Sequence, residues 1–378
     1  MNVVISELSS GFSDYSYILC NYLVKNNQID KLTYLTDKSN FYFSQIDDRV
    51  NKVMLFDEFK ADDEHKKGSI KWLWNRIITS INNCKRRNTF IKEEKPDSIL
   101  VHATLAVFDS YFLKKLKGVT KIVLLVHDVI VPTKSFSWNR KSLKKMYDAA
   151  DILVVHSKMN RDQLIKEFSI CEDKIVVIPH GIKSTYQRVD KDKEKKELGI
   201  DNDKKVLLFY GGIRESKGLD ILLNALKGLP VKLIIAGAMP YGEQFDKYQH
   251  IINSNKIDTL QIIQFTEDSF RDVLFQVSDF LVLPYKEFYS QSGVFMQAIQ
   301  YHLPIIATDV SSFKYYVEHY DIGYICAPNN IDNLHHTIVK ALSEEKEYES
   351  NMVHAINDNC WETTSSMYAD VLSGGSAR

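Results

Sequence analysis

The stretch that decides the fold is DFLVLPYKEFYSQSGVFMQAIQYHLPIIATD, residues 279–309. Its apolar run Phe280–Leu283 is closed by a proline, as expected for a short buried strand. After a polar loop, apolar residues at helical spacing from Gly293 predict a helix, and Ile305–Thr308 predicts a second buried strand. The start of such a helix has free backbone N–H groups and a positive dipole end, which suit a phosphate group.

The same alternation of strand and helix extends in both directions from this stretch. Apolar runs predict strands near residues 3–5, 32–35, 50–55, 98–102, 122–126, 149–157, 175–178, 206–210, 233–237, 262–265 and 323–326. Strands that alternate with helices predict parallel sheets covered on both faces, an α/β fold. The 378 residues fit two domains of roughly 180 residues each, and a polar segment near residues 182–190 is the predicted linker.

Composition excludes several classes of function. A net charge of -1 argues against a dedicated nucleic-acid binder. The five Cys have no paired spacing and predict free thiols in a reducing compartment. The chain starts directly with a predicted strand instead of a signal peptide, and no apolar run reaches the ~20 residues of a membrane helix. We therefore expect a cytoplasmic protein, and no metal-binding constellation is apparent.

Turns that contain glycine follow two of the predicted strands. In FYGGIRESKG, residues 209–218, a Gly pair at a strand end is followed by Arg214 and Lys217. Backbone N–H groups and two cations suit a diphosphate, whereas a turn with solvated charges is the alternative. Gly11 lies in the first strand-to-helix turn, where its backbone can approach a ligand closely or simply form a tight turn.

Histidines follow three predicted strands of the first half, at His102, His127 and His180. Ligands of parallel sheets bind beyond the carboxyl ends of the strands, so these histidines are expected at one functional rim. A single histidine at such a place is often structural, but three together favour a functional role, above all for His127.

A basic amphipathic segment occupies residues 66–87. Its apolar residues follow helical spacing and include Leu73 and Trp74, and its cations include Lys71, Arg76, Lys85, Arg86 and Arg87. Cations beside Trp on such a helix suit an anionic membrane surface, which predicts peripheral membrane contact. An ordinary solvated surface helix is the alternative.

Taken in order, FYGGIRESKGLDILLNAL (209–226), LIIAGA (233–238), the stretch at 278–310 and GYICAPNNIDNL (323–334) resemble glycosyltransferase family 4, retaining enzymes with the GT-B fold. The resemblance implies two Rossmann-like domains with parallel sheets facing across a cleft. It implies an acceptor-binding domain at 1–183, a nucleotide-sugar-binding domain at 184–355, and a C-terminal helix at 356–372 that returns to the first domain.

The resemblance also assigns roles to individual residues. Arg214 and Lys217 are implied to bind the donor's diphosphate, and His127 to contact the transferred sugar. The remaining implied donor-site residues are Gly11, Gly212, Ser292, Gly293, Val294 and Gln297. Many family members carry Glu at the positions of Tyr289 and Gln297, so we expect Gln297 to bind ribose and the nearby Glu287 to replace the missing carboxylate.

The reaction implied by the resemblance moves a sugar from a nucleotide diphosphate sugar to a hydroxyl of a glycan or lipid-linked glycan acceptor. It retains the anomeric configuration, needs no metal or other cofactor, and fits surface polysaccharide synthesis. Two alternatives remain open. One is a sugar-nucleotide 2-epimerase of the same architecture, which needs no acceptor. The other is a non-catalytic nucleotide-sugar-binding partner of a transferase.

Overall fold

Runs of Val, Ile and Leu in the first half of the chain form one parallel sheet. The computed structural model describes residues 1–8, 13–58, 69–102, 104–129, 136–240, 242–288 and 291–375. Within them, the strands of this sheet are β1 (Asn2–Glu7), β2 (Lys31–Asp37), β3 (Asn51–Phe56), β4 (Ser98–His102), β5 (Lys121–Leu125), β6 (Ile152–Val155) and β7 (Ile175–Val177). They lie in the order β3-β2-β1-β4-β5-β6-β7, and all neighbours are parallel.

Helices cover both faces of this sheet, as the alternation predicts. They are α1 (Ser13–Leu23), α2 (Ile70–Glu94), α3 (Ala106–Phe112), α4 (Phe136–Ala149) and α5 (Lys158–Phe168). Successive strand residues point to opposite faces, so Leu100 packs in the core that contains α1, whereas Ile99 and Val101 pack in the core that contains α2 to α5. Burial on both faces explains why these strands are continuous apolar runs.

The second half builds a separate parallel sheet around its own core. Its strands are β8 (Lys205–Tyr210), β9 (Val231–Ala236), β10 (Asp258–Ile262), β11 (Phe280–Leu283), β12 (Ile305–Thr308) and β13 (Gly323–Cys326). Its helices are α6 (Lys191–Glu197), α7 (Leu219–Ala225), α8 (Asp246–Asn255), α9 (Asp268–Val277), α10 (Gly293–Gln300), α11 (Phe313–Tyr320), α12 (Ile331–Ser343) and α13 (Glu349–Asn359). The strand order is β10-β9-β8-β11-β12-β13.

The last helix, α14 (Trp361–Ser373), belongs with the first sheet. The described chain divides into one unit of Met1–Pro179 with Trp361–Arg378, and a second unit of His180–Cys360. These divisions fall near the predicted boundaries at 183/184 and 355/356 but differ from them. The later boundary lies at 360/361 and not at 355/356, because α13 packs Met352, Ala355 and Ile356 into the second core. This helix has no counterpart among the predicted elements.

Helix α2 differs from the predicted basic segment in one respect. One face of its second half is buried, and Arg87 lies there fully enclosed, 2.7 Å from the carboxylate of Asp109 on α3. Arg87 therefore joins two helices and is not one of the surface cations expected from the sequence. The start of the predicted segment, residues 66–68, lies outside the described residues. No helix in the described ranges is long and apolar enough to cross a membrane.

Candidate functional site

In the second sheet, the strands that follow β8 in the chain are added first on one side of it, as β9 and β10, and then on the other side, as β11 to β13. The order therefore reverses between β8 and β11. Ligands of such sheets bind beyond the carboxyl ends of the strands at this reversal point. The two segments that leave these strands are the glycine-rich turn 211–218 and the loop 284–292. They touch directly, because the backbone N–H of Lys286 donates to the carbonyl of Ser216 at 2.9 Å. Two of the stretches that carry the family resemblance are thus in contact.

Gly218 shows how closely these segments approach. Its φ of +68° is left-handed, and a Cβ built on it would lie 2.0 Å from the carbonyl oxygen of Pro284. Only a glycine fits there. Nearby, a Cβ on Gly211 would lie 3.3 Å from the side chain of Val294, so the start of α10 lies against the same turn.

The ammonium group of Lys217 is the main charge of this site. Its Nζ lies 3.6 Å from the ring centroid of Tyr285 and 4.3 Å from that of Phe288. Burial lowers the pKa of Lys217 to about 7, and the positive charge of Arg214 acts in the same direction. In the described part of the chain, no carboxylate forms an ion pair with either cation. Aromatic faces hold the ammonium in place and leave its charge available to an anion.

The N-terminus of α10 contributes backbone donors. The Ser292 hydroxyl caps the helix by accepting from the Phe295 N–H at 3.3 Å. The first helical N–H groups belong to Gly293 and Val294, and such groups have no acceptor within a helix. A Cβ on Gly293 would meet no atom within 4 Å, so this side of the helix start is open. Open N–H groups at a positive dipole end can bind a phosphate.

Gln297, one helical turn further along α10, has a buried side-chain oxygen. Its Oε1 finds no hydrogen-bond partner among the described residues. Leaving a buried acceptor unpaired costs about 1–3 kcal/mol, so a ligand hydroxyl that donates to it would be favoured. Gly212, Arg214 and Glu287 are exposed around the same turn and loop. Tyr289 lies outside the described residues.

The first unit carries a second polar cluster, which we call the histidine row: His102, His127 and His156. His102 is the last residue of β4, and His127 and His156 lie just after β5 and β6; the three strands are neighbours in the sheet. His102 Nε2 lies 2.6 Å from His127 Nε2, and His127 Nδ1 lies 3.2 Å from His156 Nε2. His102 and His156 are buried, whereas His127 is partly exposed.

Groups from other elements complete the histidine row. The Ser16 hydroxyl lies 2.6 Å from His102 Nδ1, and the carbonyl of Ile178 lies 3.0 Å from His156 Nδ1. The ring of Tyr15 contacts all three imidazoles, with centroid distances of 5.6, 5.3 and 5.5 Å. The Tyr15 hydroxyl in turn lies 3.0 Å from that of Tyr368 on α14.

Three histidines were predicted at the carboxyl ends of the strands in the first sheet, and the structure brings only two of them together. His102 and His127 meet as expected, but the third histidine is His156, while His180 begins the second unit. A sequence pattern existed for His156, since a Val-His pair stands at or just after the end of each strand, at 101–102, 126–127 and 155–156. Gly11 lies outside the described residues. Ser16 and Tyr15 had no sequence pattern that singled them out.

Comparison with known proteins relates both halves of the chain to one class of enzyme. The model of glycosyltransferase family 4 matches residues 57–186, and that of glycosyl transferases group 1 matches residues 190–357. An uncharacterized glycosyltransferase of Methanocaldococcus jannaschii is 23% identical over 52% of this chain and 52% of its own length. The D-inositol 3-phosphate glycosyltransferase of a Mycobacterium species is 26% identical over 53% of this chain and 46% of its own. The chain thus spans about half the length of these curated relatives.

Solved structures confirm the fold class. The structure of HepE from Anabaena in complex with UDP superposes with a TM-score of 0.77 at 15% identity, covering 99% of this chain and 100% of that one. Sucrose-phosphate synthase from Thermosynechococcus elongatus gives a TM-score of 0.80 at 13% identity, covering 99% of both chains. At these identities the similarity shows the fold, which is the predicted GT-B fold with two parallel sheets.

Proposed function

We propose that this chain, which belongs to glycosyltransferase family 4, transfers a sugar from a nucleotide diphosphate sugar to a hydroxyl of a glycan or lipid-linked glycan. The observation that carries the proposal is the site at the reversal point of the second sheet. There the cation of Lys217, the exposed Arg214 and the open start of α10 converge without a carboxylate partner in the described chain. This combination fits a diphosphate.

In the proposed reaction, the bond between the anomeric carbon and the diphosphate oxygen breaks, and the acceptor oxygen bonds to the same carbon. Negative charge grows on the departing diphosphate, where Lys217, Arg214 and the backbone N–H groups of Gly293 and Val294 stabilise it. The acceptor proton passes to the departing phosphate, and the anomeric configuration is retained. Gln297 Oε1 accepts from a ribose hydroxyl, and His127 contacts the transferred sugar.

A donor panel tests the proposal. We expect release of a nucleoside diphosphate from one member of a panel of nucleotide sugars when glycan or lipid-linked acceptors are present. UDP-glucose is the first choice, because HepE, with the same fold, has been crystallised with it. Lys217→Met and Arg214→Met should each lower kcat by ~10²–10³. Lys227→Met, which removes an exposed lysine at the end of α7, should have no effect.

The outcomes of the panel separate the rival functions. Conversion of a nucleotide sugar to its epimer by the protein alone would indicate the 2-epimerase. Tight binding of a nucleotide sugar without turnover for any acceptor would indicate a non-catalytic partner. If no nucleotide sugar binds and no nucleoside diphosphate is released, the transferase proposal is wrong.

We further propose that the acceptor lies at an anionic membrane surface, to which the first half of α2 binds. The apolar face that packs in the core at Cys84 and Ile91 continues toward the N-terminus of the helix, where it is exposed: Ile70 is 78% exposed and Trp74 59%. From Ser69 to Lys92 the helix contains no acidic residue. A basic helix with an exposed apolar face has the chemistry of a peripheral membrane anchor.

Flotation with vesicles tests the membrane proposal. We expect the wild type to float with vesicles that contain phosphatidylglycerol and not with pure phosphatidylcholine. Changing Lys71 and Arg76 to Glu should abolish flotation, whereas the same change at Lys191 and Lys196, exposed lysines of α6, should preserve it. If the variant with Glu at positions 71 and 76 floated as well as the wild type and the α6 control, the proposal would be contradicted. Arg87 is kept in all variants because its buried pair with Asp109 is structural.

A further inference from the structure

The main-chain carbonyl at one end of the histidine row determines the direction of its hydrogen bonds. A carbonyl oxygen only accepts, so the Nδ1 of His156 must donate to Ile178, across 3.0 Å. A neutral imidazole carries one N–H, so the Nε2 of His156 must accept. The donor to that nitrogen is the Nδ1–H of His127, at 3.2 Å.

The same rule continues to the other end of the histidine row. With its proton on Nδ1, neutral His127 has an accepting Nε2, and the Nε2–H of His102 donates to it across 2.6 Å. The Nδ1 of His102 then accepts from the Ser16 hydroxyl, also at 2.6 Å. Any other set of neutral tautomers would place two N–H groups or two lone pairs face to face. The row therefore has a single neutral solution.

Burial makes every other set of neutral tautomers energetically unfavourable. His102 is 1% exposed and His156 is 2% exposed, so an unpaired ring nitrogen at either residue would lack water as a substitute. Each histidine is fixed in space by the strand that precedes it, and the Tyr15 ring packs against all three. A ring that turned over would exchange its nitrogen and carbon positions and lose these hydrogen bonds.

We propose that His156 and His102 are positioning residues that hold His127 in its Nδ1–H tautomer, so that His127 presents an uncharged, accepting Nε2. His156 fixes the tautomer, because it engages the Nδ1–H. A ligand hydroxyl that enters between the His102 and His127 rings can donate to His127 Nε2 and accept from the His102 N–H, so no tautomer has to change. The functional part of this inference rests on the proposed transferase reaction, in which His127 contacts the transferred sugar.

The arrangement suits that reaction for two reasons. A sugar hydroxyl can donate to an accepting Nε2, as the N–H of His102 does in the inferred set of tautomers. A neutral ring also avoids placing an imidazolium beside the positive charge that develops at the anomeric carbon. The same residue in the opposite tautomer would offer an N–H and would need a different substrate contact.

Ring-nitrogen NMR tests the tautomers directly. The full chain is labelled with ¹⁵N-histidine, long-range ¹H–¹⁵N spectra are recorded at pH 7.5, and signals are assigned with single His→Gln variants at 102, 127 and 156. We expect the Nδ1–H form for His127 and His156 and the Nε2–H form for His102. An Nε2–H or doubly protonated His127 would overturn the inference. This measurement needs no substrate.

Variants of His156 test the positioning role. His156→Phe keeps a planar ring but removes both hydrogen bonds, so His127 should show mixed tautomers. His156→Gln retains an acceptor for the His127 Nδ1–H, so it should preserve the tautomer. His250→Phe, at an exposed position of α8, is the matched control and should change nothing. If His127 keeps the same tautomer in His156→Phe, the positioning role is refuted.

Turnover links the tautomer to the reaction. With the donor that the wild type uses, kcat should fall about 10–100-fold in His156→Phe and recover to within a few-fold of the wild type in His156→Gln. If His156→Phe and His156→Gln had the same kcat, the functional part of the inference would be overturned. The expected tautomers in a protein that turns over no nucleotide sugar would refute the proposed function alone. The opposite tautomer in an active transferase would refute the inference alone.

Discussion

The Lys217 ammonium group has a pKa of about 7, which makes its charge sensitive to pH in the range where proteins are usually studied. Below pH 7 the group already carries its proton, so the affinity for a nucleotide diphosphate sugar should not change with pH. Above pH 7 the free protein must take up a proton to bind the anion, so affinity should fall, by up to tenfold per pH unit. Titration calorimetry from pH 6 to 9 measures this.

The Lys217→Arg variant provides the control for that prediction. A guanidinium group stays protonated throughout this range, so the affinity of the variant should be independent of pH. The donor does not interfere, because each phosphate of a nucleotide sugar has one ester and one anhydride bond and keeps a single, strongly acidic group that stays ionised in this range. A wild-type affinity that is as flat as that of the variant would contradict the lowered pKa of Lys217.

Single residues differ in how well the sequence could predict their place. Lys217 and Arg214 follow a strand-end Gly pair, and that local pattern was sufficient to predict their place in the turn after β8. His156 was missed although a Val-His pair stands at the end of its strand, as it does at two others. The contact among the three histidines depends on which strands are neighbours in the sheet. Strand order is a property of the folded sheet, and no local pattern encodes it.

At the scale of elements, the turn between β8 and α7 depends on Gly218. Gly218→Ala should destabilise the protein through its left-handed backbone, by about 1–2 kcal/mol, and through the clash with the Pro284 carbonyl, by about 1–3 kcal/mol more. Gly228→Ala has a similar φ of +79° but open space around its Cβ, so it should lose only the first amount. Urea unfolding measures both losses, and equal values would contradict the clash.

Elements with strong apolar periodicity were predicted well. The structure starts α10 at Gly293 and places β11 at Phe280–Leu283, as the sequence indicated. Helix α13 was missed because its sequence, ESNMVHAINDN, is mostly polar and buries only a few side chains. The membrane hypothesis for α2 needed the structure as well. Only burial separates the exposed Trp74 from the enclosed Arg87 on the same basic helix.

At the scale of the whole molecule, the alternation of strands and helices was sufficient to predict two parallel sheets, because buried parallel strands must be continuous apolar runs. The reversal point of the second sheet then lies where the chain's phosphate-suited segments are. The exact limits of the units were less predictable. They depend on long-range packing, such as that of α14 against α1, β4 and β5, and of α13 in the second core.

The return of α14 makes the first unit depend on the end of the chain. Trp361 is 1% exposed and packs its ring 4.8 Å from that of Tyr15, beside the histidine row. Trp361→Ala should therefore destabilise the first unit by about 3–5 kcal/mol, the usual cost of removing a large aromatic side chain from a core. Trp74→Ala, at an exposed position, should change stability by no more than about 0.5 kcal/mol.

Hydrogen exchange can locate the effect of Trp361→Ala. Loss of amide protection should appear in α1, β4 and β5, which share the core with α14, while β8 and β11 keep the protection of the wild type. Loss confined to α14 itself would mean that this helix only covers the sheet and does not stabilise it. Equal loss in both units would contradict the division of the chain at Pro179 and Trp361, since separate cores should open separately.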